Sequence, residues 1–451
     1  MSTYHGKGRT RYHIRVAEAE TASAHGGQVL VDGFCRRFGL WEKLARAPGL
    51  DPRKREGAGF APEAMAAQIL FTLTSGGTGL ADVERTGRDG VLMGLVGLDH
   101  GADESTVGEW LRAQTPESVA SVWRIIWEFV DAVWAEAQPA RVCHGGAEEW
   151  FFDDTQIEVY GKGFEGARMN YNGDLALSLQ TLWRGPFVVD AILDGSGDVS
   201  EHLPAFLGEH RQRWVGRRTH FYADSGSSAG KYLDAIHTAG FTRWTVSYNK
   251  WTDIPERLAR ALPEEQWSAA DAKGQQYAWV RHTPGEAQVA VTFAVVRRKP
   301  EGEMFWRYGF VACEPGEWRE ARAVFERHAL KGAKELGFSE LLGDLDLHHP
   351  PCSKLIANQA FYALAILAYN VLTAMKILEL EDGQQAWRVR TVIRNLLTVP
   401  VTVGSHARYT RALVRVPAWL LRVWRLFLQR WVPKRKPGRP SKREDAMVLR
   451  L

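Results

Sequence analysis

Apolar residues in the first third of the chain recur every three or four positions, which is the period of an amphipathic helix. The pattern runs from about residue 26 to residue 134, and Pro62 stands where a first helical turn accepts proline. Asp103 precedes another such stretch and predicts a capped short helix over residues 103–112. We therefore predict a helical N-terminal domain over residues 1–140.

From Trp150 onward the period changes to two, which is typical of half-buried strands. Strands are predicted at residues 156–160, 175–183 and 187–193, one directly after another, so we expect a meander. Helices and strands then alternate up to residue 248. Such alternation favours an α/β sheet that is covered on both faces.

The rest of the chain divides by composition. Residues 250–320 contain strand-like runs separated by turn residues, and helical periodicity returns after them. We predict an α/β fold with a mixed sheet, flanking helices, a β-rich insertion, a helical N-terminal domain and a basic helical C-terminal region. The predicted boundaries are 1–140 for the N-terminal domain, 141–249 and 321–380 for the core, 250–320 for the insertion, 381–433 for the basic helical region and 434–451 for a disordered basic tail.

Positive charge is concentrated at the C-terminal end. Residues 386–451 contain sixteen Lys and Arg residues and two acids, a net +14, and because the whole chain carries +4, residues 1–385 carry −10. This asymmetry predicts a polyanion partner; the alternative is a solvated tail that maintains solubility. Residues 436–440 resemble the core of an AT-hook, although a nonspecific basic tail fits as well. The predicted DNA contacts in the tail are Arg435, Lys436, Arg439, Lys442 and Arg443.

We expect a cytoplasmic protein with no membrane partner. The first seven residues have no apolar core, and the longest apolar run, residues 360–369, is too short to span a bilayer and predicts a buried helix. The four cysteines are widely spaced, which argues against a zinc ribbon or a disulfide framework. The short N-terminal helices predict either a helix-turn-helix unit that binds DNA or a small helical domain with a packing role only.

Three acidic residues carry the candidate chemistry. Asp153 lies in an apolar, β-prone stretch, Asp224 ends a predicted strand, and Glu335 lies at the start of a predicted helix. Taken singly, each has an ordinary explanation as a turn or cap residue. If they converge at the ends of strands, they can hold hard divalent cations, which activate the attacking oxygen and stabilise the leaving oxygen in a displacement at phosphorus.

A series of motifs places these acids in a common context. In chain order they are Phe152-Asp153-Asp154-Thr155, Val159-Tyr160-Gly161-Lys162, Asn170-Tyr171-Asn172-Gly173, Tyr222-Ala223-Asp224-Ser225-Gly226, Glu335-Leu336-Gly337-Phe338, Leu345-Asp346-Leu347-His348-His349-Pro350-Pro351, Ala357-Asn358-Gln359-Ala360 and Leu367-Ala368-Tyr369-Asn370. In this series the chain resembles the bacterial insertion-sequence transposases with a DDE-type, ribonuclease-H-like catalytic core that carries a strand-rich insertion. The resemblance covers roughly residues 145–375.

The resemblance implies that Asp153, Asp224 and Glu335 are the catalytic and metal-binding residues, with Mg²⁺ as the metal and Mn²⁺ as a substitute. It implies a transposase that cuts double-stranded DNA at terminal inverted repeats and joins the 3′-OH ends to target DNA. A homodimer in the synaptic complex and a place at the bacterial nucleoid are also implied. Asp154 is the alternative first acid; strand alternation favours Asp153, which shares a face with Phe151.

Positions around the third acid depart from the family's pattern of Tyr, Arg, Glu and Lys. His328 stands where the family commonly has Tyr, Lys331 where it has Arg, and Leu342 where it has Lys. Lys331 keeps a positive charge for a DNA phosphate and His328 keeps a polar ring, so both are predicted DNA contacts, whereas Leu342 has no charge. A second interpretation takes Glu326 or Glu340 as the acid.

Several weaker features leave alternatives open. His348 and His349, before two prolines, are more typical of a turn than of a metal site, and Trp251 would either stack on a displaced base or lie in the core. Two other functions compete with transposition. One is a decayed or domesticated DNA-binding protein, which Leu342 favours, and the other is a ribonuclease-H-like nuclease that hydrolyses DNA without joining it.

Overall fold

The helical character predicted for the N-terminal part is confirmed from residue 28 onward. The computed structural model describes residues 3–5, 11–13 and 21–431, except 56, 162, 171, 196, 249–252, 315, 317 and 407–408. Pro62 lies in a first helical turn, and the Asp103 side chain accepts a hydrogen bond from the Thr106 backbone, as predicted. The first elements are β1 (Thr3–His5), β2 (Arg11–His13), β3 (Ala22–Ser23), α1 (Gln28–Arg37), α2 (Leu40–Ala45), α3 (Pro62–Thr74), α4 (Leu80–Gly87), α5 (Gly90–Leu95), α6 (Glu104–Arg112), α7 (Pro116–Glu136) and α8 (Pro139–Val142).

The predicted mixed sheet is confirmed and follows the ribonuclease-H-like order. Its core elements are β4 (Glu148–Glu158), β5 (Arg168–Met169), β6 (Leu175–Arg184), β7 (Phe187–Gly195), α9 (Leu203–Glu209), β8 (Thr219–Ala223), α10 (Gly230–Ala239) and β9 (Arg243–Ser247). Strands β4, β6 and β7 form the expected antiparallel meander, β8 pairs with β4 in parallel, and β9 pairs with β8 in parallel. Strand β4 therefore pairs with β6 of the meander on one side and with β8 on the other.

The strand-rich segment extends this same sheet. After α11 (Ile254–Arg260) come β10 (Gln276–His282), β11 (Val291–Arg298) and β12 (Arg307–Cys313). Strand β12 pairs antiparallel with β9, so that Cys313 lies opposite Thr245. The added strands cover the edge that β9 would otherwise leave unpaired. The strand content predicted for residues 250–320 is present, while their description as an insertion stays an interpretation.

One long helix forms the centre of the hydrophobic core. Helices α12 (Ala321–His328) and α13 (Ala333–Ser339) precede α14 (Leu355–Glu379), which packs against α3, α7 and β7. Among the helices that the structure describes, α14 is long and apolar enough to cross a membrane. However, 89% of its most apolar 18-residue stretch is buried inside the protein. The helix is longer than the apolar run at residues 360–369 suggested, and it is buried, as predicted.

Amide side chains from the motifs on α14 hold neighbouring backbone segments. Asn358 bonds both the backbone N–H and the carbonyl of Cys352, and Gln359 donates to the carbonyl of Leu193 on β7. Asn370 is fully buried and bonds both the N–H and the carbonyl of Val188 on β7. Two of these amides therefore secure the last strand of the meander.

One part of the fold prediction was wrong, whereas the N-terminal region is helical as predicted and also contains the short strands β1, β2 and β3. The region predicted as helical over residues 381–433 contains a hairpin, and β3 pairs with its first strand. The β-branched run from Val399 to Val403 favours a strand, and Pro400 cannot continue a helix. The elements are α15 (Asp382–Gln385), α16 (Val389–Val392), β13 (Val401–His406), β14 (Tyr409–Val414) and α17 (Leu421–Trp431).

The Asn370 amide tests how strongly α14 holds the meander. We expect Asn370→Ala to lower the free energy of unfolding by about 3 kcal/mol, because it leaves a buried N–H and a buried carbonyl without partners. Gln359→Ala, which removes one bond to the same strand from a half-buried residue, should cost about 1 kcal/mol. Chemical denaturation of both variants measures the difference, and equal losses would contradict it.

Candidate active site

Two adjacent aspartates lie in the middle of β4, where its pairing with β8 stops. The parallel register runs from Glu148 opposite Thr219 to Phe151 opposite Tyr222. Asp153 and Asp154 follow immediately, still paired on the other side with β6. The edge of β4 that faces β8 is therefore free of strand pairing at both aspartates.

Asp224 follows the last residue of β8 and enters a tight turn. Continuing the β4–β8 register by two residues brings Asp224 level with Asp153. The Asp224 Oδ1 atom accepts a hydrogen bond of 2.9 Å from the Gly226 backbone. A Cβ atom at Gly226 would lie 2.6 Å from Val199, so this turn excludes larger residues. The predicted strand-to-turn setting of Asp224 is confirmed.

The structure brings three carboxylates together. Within the described part of the chain, Asp153, Asp154 and Asp224 each offer an oxygen atom that lies within 4.8 Å of the others. Strand alternation predicted that Asp154 points to the opposite face, yet it joins the same group. Side chains from either face can turn toward an edge that carries no neighbouring strand. Both candidates for the first acid, Asp153 and Asp154, therefore belong to the group.

Burial and mutual repulsion perturb these carboxylates. Burial is the main cause that raises the pKa of Asp154 to about 7; a hydrogen bond from Gln156 opposes this increase, and the charges of Asp224 and Asp153 contribute to it. Burial also raises the pKa of Asp153, and the nearby Lys331 ammonium opposes this increase. The site thus concentrates negative charge that a bound cation would relieve.

Lys331 contacts the acid group directly. Its Nζ atom lies 2.8 Å from Asp153 Oδ2, and the side chains of Lys331 and Asp153 are 16% and 13% exposed. The sequence predicted that Lys331 meets a DNA phosphate, which stays a prediction. In this structure the ammonium group is engaged with a carboxylate instead.

The segment before Lys331 is held on the sheet by polar contacts. Arg327 on α12 pairs with Glu149 on β4 at 3.1 Å. His328 hydrogen-bonds Ser247 through Nε2 at 2.7 Å and Thr245 through Nδ1 at 3.0 Å. Burial, with a smaller contribution from the charge of Lys331, lowers the pKa of His328 to about 4. Its ring is thus neutral and bonded inside the fold, and its predicted contact with DNA stays a prediction.

Glu335 lies outside the carboxylate group. It is on α13, which a short 3₁₀ turn over Ala329–Gly332 separates from α12, and its side chain is exposed. The packed side of α13 carries Gly337, where a Cβ atom would lie 2.8 Å from the Trp183 ring, and Phe338, whose ring contacts the same indole. Glu335 stands two residues before Gly337, on the other side of the helix.

The alternative third acids also lie outside the group. Glu326 pairs with Arg322 at 2.7 Å on an exposed face of α12. Glu340 is buried and accepts a hydrogen bond from the backbone of Val389, with Lys376 nearby. Neither glutamate contributes to the cluster of aspartates, so the choice of third acid stays open.

Other sequence predictions fall partly beyond the described residues. The predicted tail contacts, from Arg435 to Arg443, and Trp251 lie outside them. His349 Nδ1 donates a hydrogen bond of 3.0 Å to Asp346 Oδ1 within a turn, in agreement with the structural role predicted for the two histidines. Leu342 is buried in the core.

Internal ion pairs offset part of the charge of the C-terminal region. Arg388 and Arg390 pair with Asp344, a carboxylate that is almost completely buried. Arg422 and Arg430 pair with Glu381 and Glu379. Arg388, Arg390 and Arg430 thus connect α16 and α17 to buried carboxylates, whereas the pair of Arg422 with Glu381 lies at the surface. The full charge of these paired arginines is not available to a polyanion.

The fold and the carboxylate group together define a class of protein. A ribonuclease-H-like sheet that gathers aspartates between β4 and β8 is suited to metal-dependent phosphoryl transfer on nucleic acid. Residues 10–417 match the family model described as transposase DDE domain group 1, and the chain belongs to this family. It is a DDE transposase, a DNA-binding enzyme that uses divalent metal ions. No curated protein matches the chain.

The residues present fit a divalent cation. All three clustered groups are carboxylates, which are the ligands that hard cations prefer. Among the described residues, no hydrogen bond reaches Asp154 Oδ1 or Asp224 Oδ2, so both atoms are free to coordinate. Gln156, which donates to Asp154, keeps a buried Oε1 without a partner in the described part of the chain.

The neutral state of His328 predicts how stability depends on pH. In the unfolded chain the His328 pKa lies near 6.5, so between pH 6.5 and 4 the unfolded state binds a proton that the folded state does not. We expect His328 alone to account for a loss of about 2 kcal/mol between pH 7.5 and 5. Urea denaturation of the His328→Gln variant should show a correspondingly flatter dependence.

His202 provides a control of opposite sign. Its hydrogen bond to Asp194 raises its pKa, so His202 contributes stability at low pH that is lost as the pH rises. His202→Gln should therefore make the loss on acidification steeper. The same slope in wild type and His328→Gln would contradict the assigned neutral ring.

Proposed function

We propose that this transposase cuts DNA at the ends of a mobile element and joins the freed 3′-OH ends to target DNA. The observation that carries the proposal is the cluster of Asp153, Asp154 and Asp224 in the sheet of a DDE transposase. Both reactions are in-line displacements at phosphorus, with water as the nucleophile in cleavage and the 3′-OH group in joining. Each depends on positioning and electrostatic stabilisation and needs no covalent enzyme intermediate.

The clustered aspartates would hold Mg²⁺, with Mn²⁺ as a substitute. A pair of such ions supplies Lewis acidity at the phosphate and a lower pKa of the attacking hydroxyl. The chain's own contribution is to hold its carboxylates in place. The carbonyl of Asp153 accepts a hydrogen bond from Thr181, whose hydroxyl accepts one from the buried Trp183 indole. Gly226 secures the turn that carries Asp224.

Glu335 remains the proposed third acid. It follows Lys331 by four residues, which is one turn of a continuous helix. Lys331 already reaches Asp153, so a helical turn through Ala329–Gly332 would present Glu335 on the side that faces the cluster. The role of Glu335 is then to complete the site once its segment has been repositioned on DNA.

The proposed DNA partners are the terminal inverted repeats and a double-stranded target. The tail residues Arg435, Lys436, Arg439, Lys442 and Arg443 would contribute a salt-dependent contact with phosphates. Cutting and joining at two ends call for a homodimer in the synaptic complex. We propose that the protein acts in a bacterial cytoplasm, at the nucleoid.

Substitution of the acids tests the reaction on a plasmid that carries the gene with its genomic flanks. We expect wild type with Mg²⁺ to produce both end cleavage and strand transfer. Asp224→Asn should lower both by at least about a hundredfold, because metal ions supply several kcal/mol of transition-state stabilisation. Gel analysis of the plasmid products measures this, and wild-type activity in Asp224→Asn would refute the assigned site.

Matched glutamate variants identify the third acid. Glu335→Gln should lose activity as Asp224→Asn does, while Glu326→Gln, an exposed glutamate on the preceding helix, should keep it. Glu340→Gln is the remaining alternative, and its stability must be measured alongside because the residue is buried. Activity that survives in Glu335→Gln but not in another variant would reassign the acid.

One observation favours a second candidate function. Glu335 lies outside the carboxylate group while Lys331 occupies Asp153, an arrangement expected of a catalytically decayed protein that still binds DNA. Metal-dependent cleavage that disappears in Asp224→Asn would exclude this candidate. Cleavage without any joined product would instead support a nuclease that hydrolyses only.

A further inference from the structure

Lys331 places a positive charge inside the acid group that the proposed function assigns to metal binding. The ammonium contacts Asp153, and neither side chain is more than 16% exposed. The pair is therefore shielded from solvent more than an ordinary surface salt bridge. Lys331 partly balances three crowded carboxylates, so the metal-free site is not left as an uncompensated negative cluster.

The same ammonium opposes a divalent cation. A metal ion on Asp153 would lie within a few ångströms of Lys331 Nζ, and two positive charges repel strongly at that distance in a partly buried site. Lys331 occupies Asp153 Oδ2, and Asp153 Oδ1 accepts a hydrogen bond from the Asp154 backbone, so a metal ion that coordinated Oδ2 would have to displace the lysine. Both cannot hold that carboxylate oxygen at full strength.

The position of Lys331 allows it to leave without disturbing the core. It lies in the short 3₁₀ turn Ala329–Gly332, and its neighbour Gly332 is exposed, with open space around a Cβ atom placed there. His328, three residues earlier, is tied to two strand hydroxyls. The segment is therefore held on the sheet at His328, while among the described residues no such contact with strand hydroxyls holds the exposed Gly332 next to Lys331.

We propose that Lys331 is an internal counterion of the acid cluster that competes with the divalent cation and leaves Asp153 when the cation binds. This inference rests on the proposed metal site. Once released, the ammonium group is available for a DNA phosphate, the partner that the sequence predicted. Cation and DNA then both favour the released state of Lys331, so each promotes the binding of the other.

Metal affinity without DNA tests the competition. Calorimetric titration of the full-length protein with Mn²⁺ should show about tenfold tighter binding to Lys331→Met than to wild type. Lys331→Arg should restore the weaker affinity, because it keeps the positive charge. Lys43→Met removes a lysine that pairs with Glu128 in the helical part of the chain, and it should leave the affinity unchanged. A purely structural lysine would change thermal stability and not Mn²⁺ affinity.

A measurement on the wild type covers the case in which Lys331→Met fails to fold. Mn²⁺ should increase the rate at which an amine-reactive reagent labels Lys331, followed by peptide mass spectrometry, and Asp224→Asn should show no such increase. Equal Mn²⁺ affinities, or labelling that ignores Mn²⁺, would overturn the counterion role and leave the metal site standing. No Mn²⁺ binding by either folded protein would overturn the proposed metal site and this inference together.

Discussion

The register between β4 and β8 is the constraint on which the rest of the site depends. Their parallel pairing ends at Phe151 opposite Tyr222, and Asp224 leaves β8 two residues later, level with Asp153. A shift of this register would move Asp224 out of line with Asp153. Large buried residues hold this register, including the stacked rings of Phe151 and Tyr222.

The clustered carboxylates create an electrostatic cost that the protein must offset. Burial and mutual repulsion raise the pKa of Asp154 to about 7, while Lys331 offsets part of the charge at Asp153. A stable fold can carry such a group because its surroundings are rigid and well packed. The repulsion between the carboxylates destabilises the metal-free site, and a bound divalent cation would relieve it. The same repulsion would therefore favour metal binding.

The buried helix α14 connects the site with the N-terminal helices. It packs on α3 and α7 on one side and on β7 on the other, where Asn370 bonds Val188. One continuous hydrophobic core therefore includes the N-terminal helices and the sheet. The motifs after Glu335 serve this architecture, because their amides hold the backbone of the meander and of the turn before α14. The carboxylate group is formed elsewhere.

Local patterns determined the helices, the meander and the strand-to-turn setting of Asp224, because periodicity and turn residues act over a few positions. The hairpin β13–β14 was missed although its β-branched residues favour a strand locally, and its pairing with β3 from the other end of the chain has no local signal. Only the tertiary structure decided that Asp154 joins Asp153, that Lys331 binds a carboxylate and that Glu335 lies outside the group. Each of these depends on where a distant strand ends or how a helix packs, and such contacts between remote segments leave no local periodicity to detect.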